Sequence, residues 1–116
     1  MRVALLAVML MAGCSSTLDV VDPVPMEPGA VQDAAAALIS ACTGRDVSAH
    51  DVQWFVVEEI ADHPDALGGW EQPNSIYLLR SVVDDLKVSA HELLHHVLQG
   101  NPGHSSPLWE DCGVMP

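Results

Sequence analysis

His91 and His95 stand four residues apart inside Ser81–Gln99, where Leu86, Ala90, Leu93 or Leu94, and Val97 recur at helical spacing. Gly100-Asn101-Pro102-Gly103 then stops any helix. Asp84 and Asp85 fall in the first turns of this predicted helix, where its dipole favours negative charge. Side chains four apart on a helix face the same side, with about 6 Å between Cβ atoms, so the two imidazoles can grip one ion. Zinc in a catalytic site takes three protein ligands and keeps one open position. Glu92 lies beside the first histidine and is placed to take a proton from water on the metal rather than to bind the metal itself.

A third ligand must come from outside that helix. His104 lies just beyond the Gly-Asn-Pro-Gly turn, where the chain reverses and an imidazole can come back toward the open side. Glu110 and Asp111 are the alternatives, and a site with no third protein ligand stays open. His96 is about 100° around the helix from His95 and cannot share its metal face, so it reads as solvated or as support for another residue. His50 and His63 fall in loop regions and read as surface residues.

The remaining chain reads as helix, strand, strand, helix, loop, an α+β order. Gly29–Ala41 contains Ala34-Ala35-Ala36-Ala37-Leu38-Ile39, a strong helix former, with Gly44 placed to cap its end. Val52–Ile60 is rich in β-branched and aromatic residues and reads as a strand, with Trp54 and Phe55 as core. Asp62–Pro73, with Pro64, Gly68, Gly69 and Pro73, reads as a long turn. Ser75–Leu79 reads as a second strand, paired with the first as a hairpin. His104–Pro116 reads as irregular. Trp70 and Trp109 are either walls of a cleft or core.

Three features bear on location. Val3–Ala12 is an apolar run of about ten residues after Met1-Arg2, too short to span a bilayer, which takes about 20, and suited to a signal peptide. Ala12-Gly13-Cys14 resembles the lipobox of bacterial lipoproteins. The resemblance implies a signal peptide over 1–13, cleavage before Cys14 and lipid on its thiol. Residues 14–28, with Pro23, Pro25 and Pro28, then read as an extended, solvated tether, and 29–116 as the folded domain. Cys42 and Cys112 remain as an even pair in an oxidising compartment. A bridge closing a loop of about 70 residues would stabilise by roughly 3–5 kcal/mol; two buried free thiols are the other reading. The expected location is the bacterial cell envelope, lipid-anchored, at the outer membrane or periplasmic face. With 4 Lys+Arg against 16 Asp+Glu, a net charge of −12, the chain has no basic face with which to hold nucleic acid.

His91-Glu92-Leu93-Leu94-His95, read with His104, resembles the zincin metallopeptidases. Gly103-His104-Ser105-Ser106-Pro107-Leu108-Trp109 is similar to the Gly-His segment followed by an aromatic in SprT-like proteins, whose histidine is the third zinc ligand. The likeness covers about 20 residues of the chain. It departs from metzincins, since Leu98 stands in place of their glycine and Asn101 in place of their third histidine. The resemblance implies a minimal zincin-like domain holding one Zn²⁺ on His91, His95 and His104. It makes Glu92 the general base and Ser75–Leu79 the edge that pairs with a peptide or protein substrate. The DNA–protein crosslink role of SprT-like proteins does not suit so acidic and exported a chain. For the oxyanion of the tetrahedral intermediate, Tyr77 and His96 are the available donors. Two functions follow as expectations: a membrane-anchored zinc metallopeptidase, or a metal-binding or interaction lipoprotein on the same scaffold without turnover.

Overall fold

In the computed structural model, residues 17–116 are described; the expected signal peptide over 1–13 and the expected lipid site Cys14 lie outside them. The alanine-rich stretch forms helix α1, Ala30–Thr43. Its start is closed by the Gln32 side chain, which accepts from the Gly29 N–H at 2.9 Å. Its end is closed by Gly44 in the left-handed conformation, φ 73°, donating to the Ser40 carbonyl. Gln32, Ala35, Ala36 and Ile39 form its buried stripe.

The sheet differs from the expected hairpin. Val24–Met26 (β2), Gln53–Val57 (β3), Gly68–Glu71 (β5) and Ser75–Leu79 (β6) lie in the order β2-β3-β6-β5. β3 and β6 pair in parallel, from Gln53 with Ser75 to Val57 with Leu79. The hairpin is made instead by β5 and β6, antiparallel across Gln72-Pro73-Asn74. Ser75–Leu79 (β6) is therefore interior, and the edges are β2 and β5. Two glycines hid β5 as a turn. A Cβ on Gly68 would sit 2.9 Å from the Tyr77 carbonyl oxygen and 3.3 Å from Glu92 Cγ, so the strand needs glycine for that approach.

The segment read as a solvated tether is also corrected over its described part. Val20–Val21 (β1) pairs antiparallel with Glu59–Ile60 (β4), and β2 pairs with β3. Pro25 sits opposite Phe55 on an edge strand, the position in a sheet that tolerates a residue without an N–H. Asp22, φ 51°, turns the chain between β1 and β2.

The main helix, α2, runs Leu86–Leu98, shorter than expected, because Arg80–Val82 forms a 3₁₀ turn and Asp85 caps the helix by accepting from the Val88 N–H. Gln99 and Gly100, φ 53° and 132°, end it. A short helix α3, Leu108–Asp111, stands in the region read as irregular. The core lies between α1, α2 and the sheet face carrying Trp54, Ile76 and Leu78. Buried Gln32 bridges the helices by donating to the Val83 carbonyl and Ser89 Oγ. Cys42 and Cys112 are disulfide-bonded, tying the end of α1 to the end of α3. Among the described residues the fold is thus α+β, with three helices and two sheets.

Candidate metal centre

His91 and His95 project from α2 on one side, and the turn after it brings His104 back to them. His104 Nε2 lies 3.3 Å from His91 Nε2, and one nitrogen from each of the three rings falls within 4.8 Å of the others. Two nitrogens each about 2.0–2.1 Å from a tetrahedral ion lie about 3.3 Å apart, so the spacing fits a shared metal ion. Glu110 and Asp111 are exposed on α3 and are not in the group.

The rings are aimed from behind. His91 Nδ1 donates to the Val114 carbonyl at 2.6 Å, and His95 Nδ1 donates to the Gly100 carbonyl at 2.7 Å. Each bond places the proton on Nδ1 and leaves the Nε2 lone pair facing the centre. Burial pushes both imidazoles below the usual histidine range, His95 to about 4, with the carbonyl bonds opposing it. Both rings are therefore neutral near pH 7, as ligands must be.

Beneath them lies Trp109, fully buried, its ring 4.6–4.7 Å centroid to centroid from each of the three imidazoles. It is core and also the floor of the site. Its Nε1–H donates to Asn101 Oδ1 at 2.6 Å. Asn101 Oδ1 also accepts from the Ser106 N–H, and its Nδ2 donates to Ser105 Oγ. Asn101 and His104 both have positive φ, 62° and 53°, which lets the loop fold back over so few residues. The sequence reading missed Asn101 as a latch; an asparagine in a Gly-rich turn before an aromatic was the signal available.

Glu92 is only 5% exposed, and its Oε1 is buried with no hydrogen-bond partner. Burial pushes its carboxyl up to about 8. A buried carboxyl without a partner beside three convergent imidazoles is what a nearby dication would satisfy, so the donor set fits a metal ion. All four residues line a cleft of about 800 Å³ between α2 and β5. Trp70 lines its wall, and His63, read as a surface residue, is exposed at its margin.

Neither expected oxyanion donor is in place. Tyr77 alternates to the opposite sheet face from Ile76 and Leu78. There it stacks on Phe55 and donates to Glu71 Oε1. His96 accepts from Trp70 Nε1 at 3.3 Å and does not line the cleft. His50 is exposed and apart from the centre. Compared with known proteins, the chain matches no family model, no curated protein and no solved structure.

Proposed function

We propose that this chain is a zinc-dependent peptidase anchored at the cell envelope by lipid on Cys14. The observation that carries the reading is the buried, unpartnered Glu92 Oε1 beside three imidazoles that converge in an open cleft. His91, His95 and His104 would hold the ion, leaving a fourth position toward the cleft. When bound, zinc supplies a Lewis acid for the peptide carbonyl and acidifies water. Beside a dication the Glu92 carboxylate is favoured over the neutral acid, which restores it as a base. Glu92 then takes a proton as water attacks the carbonyl carbon and returns it to the departing amine nitrogen. An extended peptide can add to the free side of β5, which pairs only with β6 among the described residues. The disulfide suits an oxidising compartment, which supports the envelope location.

The test is Glu92→Gln. The variant is expected to keep stoichiometric zinc and to lose cleavage of unstructured peptides by about 10²–10⁴-fold. The displacement of Tyr77 and His96 from the cleft favours a second reading, a lipoprotein that holds metal without turnover. Zinc-loaded wild-type protein that cleaves nothing across a diverse peptide library establishes that reading instead. Absence of stoichiometric metal removes both.

A further inference from the structure

Lys87 is the chain's only lysine. It lies one helical turn before His91 on α2 and lines the same cleft as the three histidines. Lys87, His91 and His95 form one stripe at four-residue spacing, with about 6 Å between successive Cβ atoms. The other cations among the described residues are engaged elsewhere. Arg80 is paired with Glu58 at 2.7 Å, and Arg45 donates to the Val97 carbonyl. Lys87 makes no ion pair and no side-chain hydrogen bond among the described residues, although the chain carries 16 carboxylates.

None of the acidic side chains that share the cleft forms an ion pair with it. Glu71 accepts from the Leu18 N–H and the Tyr77 hydroxyl, and Asp85 accepts from the Val88 N–H as the cap of α2. Glu92 is buried beside the histidines, and Asp65 lies on the loop before β5. A lone ammonium in the cleft of a chain with net charge −12 is a local exception to its charge. Unpaired, it is the side chain in the cleft's lining that can form an ion pair with an anionic group on whatever enters.

Resting on the peptidase reading of this cleft, we propose that Lys87 is a specificity-determining residue that binds a carboxylate of the substrate. A lysine one turn from the first ligand reaches roughly 6–10 Å from the ion. At about 3.3 Å per extended residue, that places the carboxylate two or three residues from the cleaved bond. A free C-terminus and an Asp or Glu side chain both supply this group.

The experiment measures binding, by calorimetry on zinc-loaded protein, of short peptides that end in a chelating hydroxamate. One probe carries Glu two residues from the hydroxamate with its terminus amidated, and one carries Gln there with a free carboxyl terminus. A third has Gln with an amidated terminus, and a fourth has Lys. At least one carboxylate probe is expected to bind about fivefold tighter than the neutral one, the strong end for an exposed ion pair. Which one does so identifies the source. Lys87→Met is expected to abolish the preference and Lys87→Arg to keep it; Lys87 is exposed, so both variants keep the fold. The preference should shrink as salt is raised. Equal binding of the carboxylate and neutral probes overturns the proposal. So does tighter binding of the Lys probe, a preference that survives Lys87→Met, or failure of every probe to bind. A Lys87-dependent preference in a protein that cleaves no peptide overturns the peptidase reading and leaves the carboxylate site standing.

Discussion

Asn101 does at one residue what the candidate metal centre would need from its whole loop. It holds a left-handed turn, and its side-chain oxygen takes the Trp109 indole proton and the Ser106 amide proton. Removing that oxygen leaves a buried indole N–H without an acceptor, at about 1–3 kcal/mol. It also frees the loop that carries His104. Asn101→Ala is therefore expected to lower stability by that amount and to weaken metal binding by about 10–100-fold, read by competition with a chelator. Stability lost with affinity unchanged would mean that the latch serves the fold alone. Gly68 is a second such position. An added Cβ meets the backbone oxygen of Tyr77, which cannot yield as a flexible side chain would. Gly68→Ala is expected to cost about 1–3 kcal/mol in thermal or denaturant unfolding and to disturb Glu92, which touches the same space. An unchanged melt would refute the close approach.

Among the elements, the disulfide and α3 act as a brace behind the site. Cys112 lies three residues after Trp109 and two before Val114, whose carbonyl orients His91. Replacing Cys42 and Cys112 by serine is expected to cost about 3–5 kcal/mol and to weaken metal binding as well. The check is chelator competition on oxidised, reduced and doubly substituted protein, with equal affinity in all three counting against the brace. The elements also show what is legible in a sequence of this kind. α2 and the facing of His91 and His95 could be read because a 3.6-residue period and a hard Gly-Asn-Pro-Gly stop are local signals. The return of His104 was within reach because the same stop forces a reversal. β5 was not, since Gly68 answers to the Tyr77 carbonyl and to Glu92, and Gly69 to Leu18, contacts that only the folded chain brings together. β2 was hidden by Pro25, which only its position at the sheet edge excuses. The parallel pairing of β3 with β6 depends on β5 filling the hairpin place, so missing one strand reversed the other pair.

For the molecule as a whole, metal and pH act on the same few groups. In the metal-free protein Glu92 is pushed up to about 8, against about 4.3 in an unfolded chain. Between those values the folded state keeps a proton that the unfolded state has released, so stability falls as pH rises. His95 is pushed down to about 4, against about 6.5 unfolded. As pH falls through that window, the unfolded state takes up a proton that the folded state refuses, so stability there rises with pH. The two slopes oppose each other from about pH 4.5 to 6.5, and above 6.5 only the Glu92 slope remains. Ordinary carboxylates have ionised well below that, near pH 4, so their mutual repulsion is already constant. Denaturant unfolding of metal-free protein is expected to show stability falling by up to a few kcal/mol between about pH 6.5 and 8.5, and Glu92→Gln is expected to flatten that limb. With metal bound, a rising limb replaces that opposition at the acid end: protons compete for the imidazoles, so stability rises from about pH 5 to 7 and then levels. A metal-free limb that persists in Glu92→Gln would place the slope on another group and would remove the case for a buried, uncompensated carboxyl awaiting a cation.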